Sequence, residues 1–165
     1  MRGNGSGLGG GIVKKIPFGN ELPIYYGKFA TREYARQKGI SVQMAARELR
    51  YDWFEKTRSE NGFNLIAVAH NLNDNIETML INLTRGTGIT GLTGMRNSGN
   101  LIIRPLLFAT RKEIEEYSVE NEVIFREDSS NAETKYARNK IRHLVLPVLK
   151  EINPAFEAAL NETSA

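Results

Sequence analysis

The sequence predicts an α/β fold in which a mostly parallel sheet is flanked by helices and followed by a C-terminal helical segment. Two apolar stretches of strand length, Leu22–Phe29 and Leu65–Ala69, alternate with stretches whose apolar residues recur at helical spacing. Such alternation is typical of parallel sheets. At 165 residues, with 41% hydrophobic and 25% charged residues, the chain is long enough to bury a core.

Two helices are predicted between these strands. Thr31–Lys38 reads as a short helix closed by Gly39, and Ser41 is the predicted N-cap of a longer helix that Gly62 ends. The predicted buried stripe of the longer helix consists of Val42, Ala45, Ala46, Leu49 and Trp53.

The strand Leu65–Ala69 has the continuous apolar pattern of a strand buried on both faces. The helix after His70 is predicted to run to about Arg85 and to stop at Gly86. A further strand is predicted at Asn100–Leu107. The core-facing stripe of the helix after His70 is predicted to be Ile76, Met79, Leu80 and Leu83.

The C-terminal third of the chain is predicted to be mainly helical. Thr110 and Glu113 have the spacing of a capping box, in which each side chain bonds the backbone amide of the other residue. A short strand is predicted at Val123–Phe125, and a final helix at Glu133–Ile152 that Pro147 should kink or break. The apolar residues predicted on the helix after the capping box are Ile114, Tyr117 and Val119.

Composition excludes several classes of protein and site. The absence of cysteine excludes disulfides and thiolate metal sites, and we expect a cytoplasmic protein. No stretch approaches the roughly 20 apolar residues of a membrane span, so no membrane partner is expected. The net charge is only +3, so a nucleic-acid surface would have to come from local clustering of basic residues.

The first 20 residues are predicted to be a flexible leader. Met1–Gly11 contains six glycines and few side chains able to pack. Gly5, Gly7 and Gly10 formally match a dinucleotide-binding fingerprint, but the strand that should precede the fingerprint has no room here.

The polar residues most indicative of a site follow the second predicted strand. His70, Asp74 and Glu77 lie where this strand gives way to a helix, and the two acids are three residues apart on one helix face. Ligands of α/β sheets bind at the carboxyl ends of strands. Three functions fit: Mg²⁺ binding through the carboxylates, acid–base catalysis through His70, or helix capping without catalysis.

Three further groups of basic residues each have a structural and a functional interpretation. Arg47 and Arg50 form either a solvated helix face or an arginine clamp for phosphate. Arg85 lies in the turn Thr84–Gly88, whose glycines are first explained as a helix C-cap. The last predicted helix carries a basic strip that is either a solvated face or a grip on an RNA backbone. The strip consists of Lys135, Arg138, Lys140, Arg142 and His143.

Seven strings in order carry a resemblance to a known family. They are AARELRY (45–51), IAVAHNLNDNIET (66–78), TRGTGITGLTGM (84–95), IIRPLL (102–107), REDSSN (126–131), ARNKIRH (137–143) and LPVLKEINP (146–154). From Leu22 onward the chain closely resembles the tRNA(Ile)-lysidine synthetases of the PP-loop ATP pyrophosphatase group. The resemblance implies a Rossmann-like, adenine nucleotide alpha hydrolase-like fold. Residues 21–130 would be the second half of its catalytic domain, and residues 131–165 a basic helical segment leading to the next domain.

The resemblance also implies a reaction and its participants. ATP adenylates the C2 oxygen of the wobble cytidine of tRNA(Ile) with a CAU anticodon, and L-lysine then displaces AMP. Mg²⁺ would assist, with Asp74 as its carboxylate, and assembly as a homodimer is expected. Catalytic roles carry over to His70, Asp74, Glu77, Arg47 and Arg50. Lysine or tRNA binding carries over to Arg85, Arg104, Asp128, Asn131, Arg138 and Arg142.

Two departures from the family pattern bear on these expectations. Asn73 stands where the family often has an acid, which leaves Asp74 to carry the charge. The Ser-Gly-Gly-x-Asp-Ser loop that binds ATP in the family is missing from this sequence, so we expect a fragment that is inactive alone. A non-catalytic RNA-binding module is the alternative. The PP-loop tRNA thiolases are disfavoured because they rely on cysteines.

Overall fold

The computed structural model describes residues 23–123 and 137–164, and the chain divides into two compact units, residues 1–66 and 67–165. Asp128 and Asn131 lie outside the described residues, as do the leader (1–20) and most of the predicted strand Val123–Phe125. Within the described residues, no helix is long and apolar enough to cross a membrane.

The first unit contains two helices, α1 (Thr31–Lys38) and α2 (Val42–Glu60), and both agree with the prediction. Gly39 adopts φ +65° at the end of α1, and the Ser41 hydroxyl accepts the Met44 N–H at the start of α2. The left-handed conformation of Gly39 is the one that glycine adopts without steric cost, which is why α1 ends there.

The predicted apolar stripe of α2 is only partly buried. Ala45 is fully buried, but Val42 is 50% exposed, so its assignment to the core was wrong. Val42 is the first helical residue, and helical side chains tilt toward the N-terminus, so this one projects past the end of the helix. Trp53 is half-buried, and its ring meets Phe29 edge-on with centroids 6.4 Å apart.

The predicted strand Leu22–Phe29 is not formed by its described part, because residues 23–29 have no regular secondary structure. Its aromatic residues pack individually instead. Tyr25 meets Phe63 with ring centroids 6.1 Å apart, and Gly27 lies so close to Trp53 that a Cβ would be 3.0 Å from the indole. These packing contacts favour an irregular path over a ladder of backbone hydrogen bonds.

A small sheet has the strand order β1 (Ile66–Ala67), β3 (Ile102–Ile103), β2 (Ser98–Gly99). Strands β2 and β3 are antiparallel, with Ser98 opposite Ile103, so this pair departs from the mostly parallel sheet that was predicted. Leu65 is 50% exposed and Ala67 is exposed, so the prediction of a strand buried on both faces was wrong. The described strands are each two residues long, so the sheet they form is too small to support packed layers that would bury both faces of β1.

A tight turn replaces the first part of the predicted strand Asn100–Leu107. Asn100 and Leu101 have φ values of +47° and +64°. Two consecutive positive φ values are the signature of a type I′ turn, whose twist suits a two-residue hairpin. The turn reverses the chain between β2 and β3, which is why this pair is antiparallel.

The second unit is mainly helical. It contains α3 (Leu72–Thr84), a short α4 (Ile89–Leu92) and α5 (Arg111–Glu120). Thr110 and Glu113 form the predicted capping box of α5. Tyr117 and Val119 are 62% and 73% exposed, whereas Ile114 is half-buried, so the apolar side of α5 is buried only in part.

The last helices of the second unit are interrupted as Pro147 predicts. They are α6 (Ala137–Lys140), a π-helical segment (Ile141–Val145), α7 (Leu146–Ile152) and α8 (Phe156–Ser164), of which α8 was not predicted. The core is formed by Leu72, Ile76, Ile141 and Leu146, with Leu80, Ile81, Phe156 and Leu160 packed around it. Leu83 is 56% exposed, so its place in the predicted stripe of α3 was wrong.

Candidate functional site

The candidate site begins at a capping box at the start of α3. The Asn71 side-chain carbonyl accepts the Asp74 N–H at 3.0 Å, and Asp74 Oδ2 accepts the Asn71 N–H at 3.1 Å. An acid in the first turn also interacts favourably with the positive end of the helix dipole. The capping interpretation of Asp74 is therefore confirmed, whatever further role the carboxylate has.

One helical turn later, Glu77 is completely buried. Arg142 Nε donates to Glu77 Oε1 at 2.6 Å and Arg142 Nη2 donates to Oε2 at 3.1 Å, which is a bidentate ion pair. Arg138 Nε lies 3.4 Å from Oε2, and Arg142 Nη2 lies 3.8 Å from Asp74 Oδ1. The two acids predicted to share a helix face are thus linked through one guanidinium. The sequence predicted that only the apolar face of α3 would be buried, but Glu77, on the acidic face, is buried as fully as Ile76.

The electrostatics of this cluster are dominated by burial and by the bidentate bonds. Burial raises the pKa of Glu77 above its ordinary value, and the hydrogen bonds from Arg142, with the nearby charge of Arg138, offset part of that rise. The bond to Glu77 raises the pKa of Arg142. The Arg142 guanidinium therefore stays charged, while burial and the bonds from Arg142 act in opposite directions on the pKa of Glu77.

The π-helical segment brings the basic residues and the core residues of the last helices into register. The Leu146 N–H donates to the Ile141 carbonyl, five residues back. In an α-helix two residues five apart would point about 140° apart, whereas the wider π turn of roughly 4.4 residues brings them to about 50°. Ile141 and Leu146 can therefore both enter the core while Arg142 reaches Glu77.

Pro147 explains why the helix widens here. A proline ring within a helix clashes with the carbonyl four residues back and cannot donate a backbone hydrogen bond. Pro147 lies in the first turn of α7, where both defects are tolerated because the preceding turn has opened.

The structure places the other predicted residues as follows. His70 is half-buried in the segment between β1 and α3, just ahead of the Asn71 cap. Arg85 is an exposed residue at the C-cap of α3. Arg104 is half-buried, and its Nη1 donates to the Arg96 carbonyl at 2.8 Å. Arg47 and Arg50 are exposed on α2 in the first unit, where Arg47 stacks over the Tyr51 ring at 4.8 Å.

The carboxylates are already engaged by the protein. Asp74 Oδ2 accepts a backbone amide, and both oxygens of Glu77 accept from Arg142. In residues 23–123 and 137–164, no group of three or more histidine or acidic side chains is placed to hold a metal ion.

Three asparagines on α3 organise the surroundings of the cluster and were missed in the sequence. The Asn73 side chain accepts the Arg111 N–H at 2.7 Å and donates to Glu157 at 2.5 Å, joining the starts of α3, α5 and α8. Asn75 Oδ1 accepts the Met95 N–H, and Asn82 donates to the Gly91 carbonyl at 3.0 Å. The available signal was their spacing, because Asn75 and Asn82 lie two helical turns apart on one face of α3.

Comparison with known proteins identifies the family. A family profile described as a PP-loop domain matches residues 13–149. The chain belongs to the PP-loop domain family. This membership confirms the predicted fold class, since the match covers most of the chain, including the segments that carry Asp74, Glu77, Arg138 and Arg142.

Three of the relatives that the chain matches are named tRNA(Ile)-lysidine synthase. The chain is 47% identical over 166 residues to a tRNA(Ile)-lysidine synthase of Porphyromonas gingivalis strain W83, covering 99% of this chain and 36% of the relative. It is 47% identical to that of Bacteroides thetaiotaomicron, covering 99% of this chain and 38% of the relative. It is 49% identical to that of Thermosipho africanus, covering 77% and 30%. The resemblance seen in the sequence is confirmed, and the chain spans about a third of the length of these relatives.

Proposed function

We propose that this PP-loop chain contributes part of the catalytic domain of a tRNA(Ile)-lysidine synthase. The reaction is the ATP-dependent ligation of L-lysine to C2 of the wobble cytidine of tRNA(Ile) with a CAU anticodon, carried out in the cytoplasm. The observation that carries the proposal is the 47% identity over 99% of the chain to proteins of that name. The bonded cluster of Asp74, Glu77, Arg138 and Arg142 supports it, because adenylation and RNA binding both need oriented cations.

The arginines of this chain suit the polyanionic substrates of the proposed reaction. Guanidinium groups bind phosphate with a planar pair of donors, and Arg138 and Arg142 are held in fixed directions by Glu77. Asp74 would offer a carboxylate oxygen to Mg²⁺, whose charge would offset that of the ATP phosphates, while its Oδ2 accepts the Asn71 N–H.

The individual roles are part of the proposal. His70 and Asp74 would contribute the acid–base groups at the carboxyl end of β1, and Glu77 would hold the arginines. Arg47 and Arg50 would contact phosphate or the activated cytidine. The remaining residues proposed to bind lysine or tRNA are Arg85, Arg104, Asp128, Asn131 and Arg138. Arg142, which the resemblance also assigns to this group, is bonded to Glu77 and lies near Asp74, so it would act by holding Glu77 in place.

A chimeric enzyme tests the proposal directly. The segment of the Porphyromonas gingivalis relative that matches this chain is replaced by residues 1–165, and incorporation of labelled lysine into a tRNA(Ile) transcript with a CAU anticodon is measured with ATP. We expect lysine incorporation, and we expect His70→Ala in the chimera to reduce it strongly. Arg111→Gln is the control, because the Arg111 side chain is 46% exposed and forms an ion pair with Glu115, one turn along the same helix.

A folded chimera that binds the transcript but never incorporates lysine would contradict the ligase assignment. It would favour the non-catalytic RNA-binding module. Full activity of the His70→Ala chimera would instead refute the role of that histidine and leave the ligase assignment standing.

A further inference from the structure

The two arginines that meet at Glu77 are not equivalent. Arg142 gives two short hydrogen bonds to Glu77 and has Asp74 3.8 Å away, so two carboxylates surround its charge. Arg138 reaches Glu77 only at 3.4 Å, and its shorter bond, at 2.9 Å, is to the neutral hydroxyl of Thr78. Counting the partners among residues 23–123 and 137–164, the charge of Arg138 is therefore the less compensated of the two.

Exposure divides the arginines in the same way. The Arg142 side chain is 25% exposed, and that of Arg138 is 38% exposed. Arg138 lies in the short helix α6, whose exposed residue Lys140 adds a second positive charge. A guanidinium that is held on one side and open on the other is suited to a phosphate, which accepts its remaining N–H groups.

We propose that these arginines divide two tasks, with Arg142 anchoring the last helices to α3 and Arg138 contacting a phosphodiester of the bound RNA. Glu77 and Thr78 are then positioning residues, because they fix the direction in which Arg138 presents its guanidinium. This inference rests on the proposed function, since it concerns how the same site holds its RNA.

The geometry makes opposite predictions for the two residues. Neutralising Arg138 removes one phosphate contact, so the slope of log K against log salt should become shallower by about 0.7–0.9. When the salt concentration rises fourfold, from 50 to 200 mM, the loss of affinity should therefore be about threefold smaller in the variant than in the unchanged chain. Neutralising Arg142 removes an anchor and should leave the slope unchanged while lowering stability.

The experiment measures binding of the complete chain to a tRNA(Ile) transcript with a CAU anticodon across this salt range, alongside thermal unfolding of each variant. We expect Arg138→Gln to reduce the slope. Arg142→Lys, which keeps the charge, should lower the melting temperature only. Thr78→Val should weaken binding severalfold without changing the slope, because the charge remains but its support is lost. Arg111 is an exposed arginine paired with Glu115, so Arg111→Gln should change neither the salt slope nor the melting temperature.

An unchanged slope in Arg138→Gln would overturn the division of tasks, and so would an Arg142→Gln variant that folds and loses as much slope as Arg138→Gln. Binding by the unchanged chain that is absent or independent of salt would overturn it as well. The lysine incorporation of the chimera decides the proposed function separately, because it is read out without reference to the salt slope.

Discussion

Gly94 offers the sharpest test of how α3 holds its neighbouring loop. Gly94 has φ +67°, and a Cβ added to it would lie 2.9 Å from the Cγ of the buried Asn75 and closer still to Oδ1. That oxygen accepts the Met95 N–H. An alanine at position 94 would therefore have to displace the side chain that organises the loop.

The cost of Gly94→Ala has two parts. A residue with a Cβ in the left-handed region loses about 1–2 kcal/mol, and displacing Asn75 leaves buried polar groups unpaired at a cost of about 1–3 kcal/mol. We expect Gly94→Ala to lower the free energy of unfolding by about 2–5 kcal/mol in total.

Gly86 is a matched control for the backbone part. It has φ +70°, and a Cβ there would meet no atom within 4 Å, so Gly86→Ala should cost only the backbone part. Urea unfolding of both variants measures the difference. Equal losses in the two variants would refute the proposed clash. A second check is the Asn75→Ala background, in which the extra cost of Gly94→Ala should disappear because the obstructing side chain is gone.

Three further predictions follow from the ion pairs and caps. Glu77→Gln should lower the free energy of unfolding by about 2–4 kcal/mol, because Arg142 loses its bidentate partner, although its partly exposed side chain can regain some water. Urea unfolding measures this loss. A loss below about 0.5 kcal/mol would contradict the prediction. Asn73→Asp should destabilise the protein at neutral pH, because it removes the donor to Glu157 and places a negative charge beside the Glu157 carboxylate. In thermal unfolding, adding Glu157→Gln should restore the melting temperature that Asn73→Asp lowers. If it does not, the contact between the two side chains is refuted. The hydrogen bonds from the Thr110 backbone and hydroxyl lower the pKa of Glu113, so its contribution is present above the ordinary value of 4.5 and is lost as the pH falls through the lowered value. Unfolding measured between pH ~5 and ~3 should therefore show a smaller acid-induced loss of stability in Glu113→Gln than in the unchanged chain.

Features set by neighbouring residues could be predicted from the sequence. The helix start at Ser41, the capping box of Thr110 and Glu113, and the helix end at Gly39 each depend on side chains within a few positions. The interruption before α7 follows equally locally from Pro147. These predictions were confirmed because the interactions close within one or two helical turns.

Features set by distant residues were missed. The burial of Glu77 depends on Arg142, 65 positions later, and no periodicity within α3 could indicate it. The hairpin was missed because it requires Leu101 in a left-handed conformation that its residue type does not favour. The exposure of Leu65 and Val42 was missed because periodicity indicates which face could be buried, and only the neighbouring elements decide whether it is.

The sequence predicted which segments form the candidate site but not how its arginines differ. The strings that carry the family resemblance identified the segments of Asp74, Glu77, Arg138 and Arg142, and the structure brings these four side chains together. Sequence spacing could not distinguish the arginine that is enclosed by carboxylates from the arginine that is open to solvent.

The widened turn at Ile141–Val145 holds one residue more than an α-helix needs to connect its two ends. Shortening this stretch by a single position, for example by omitting the exposed Leu144, would let ordinary i→i+4 bonding keep Ile141 and the present Leu146 on one side. The shortened helix would form only if Pro147 were replaced as well, because the proline ring would clash with the carbonyl four residues before it in a regular α-helix. The deletion is therefore expected to be tolerated only when the proline is replaced at the same time.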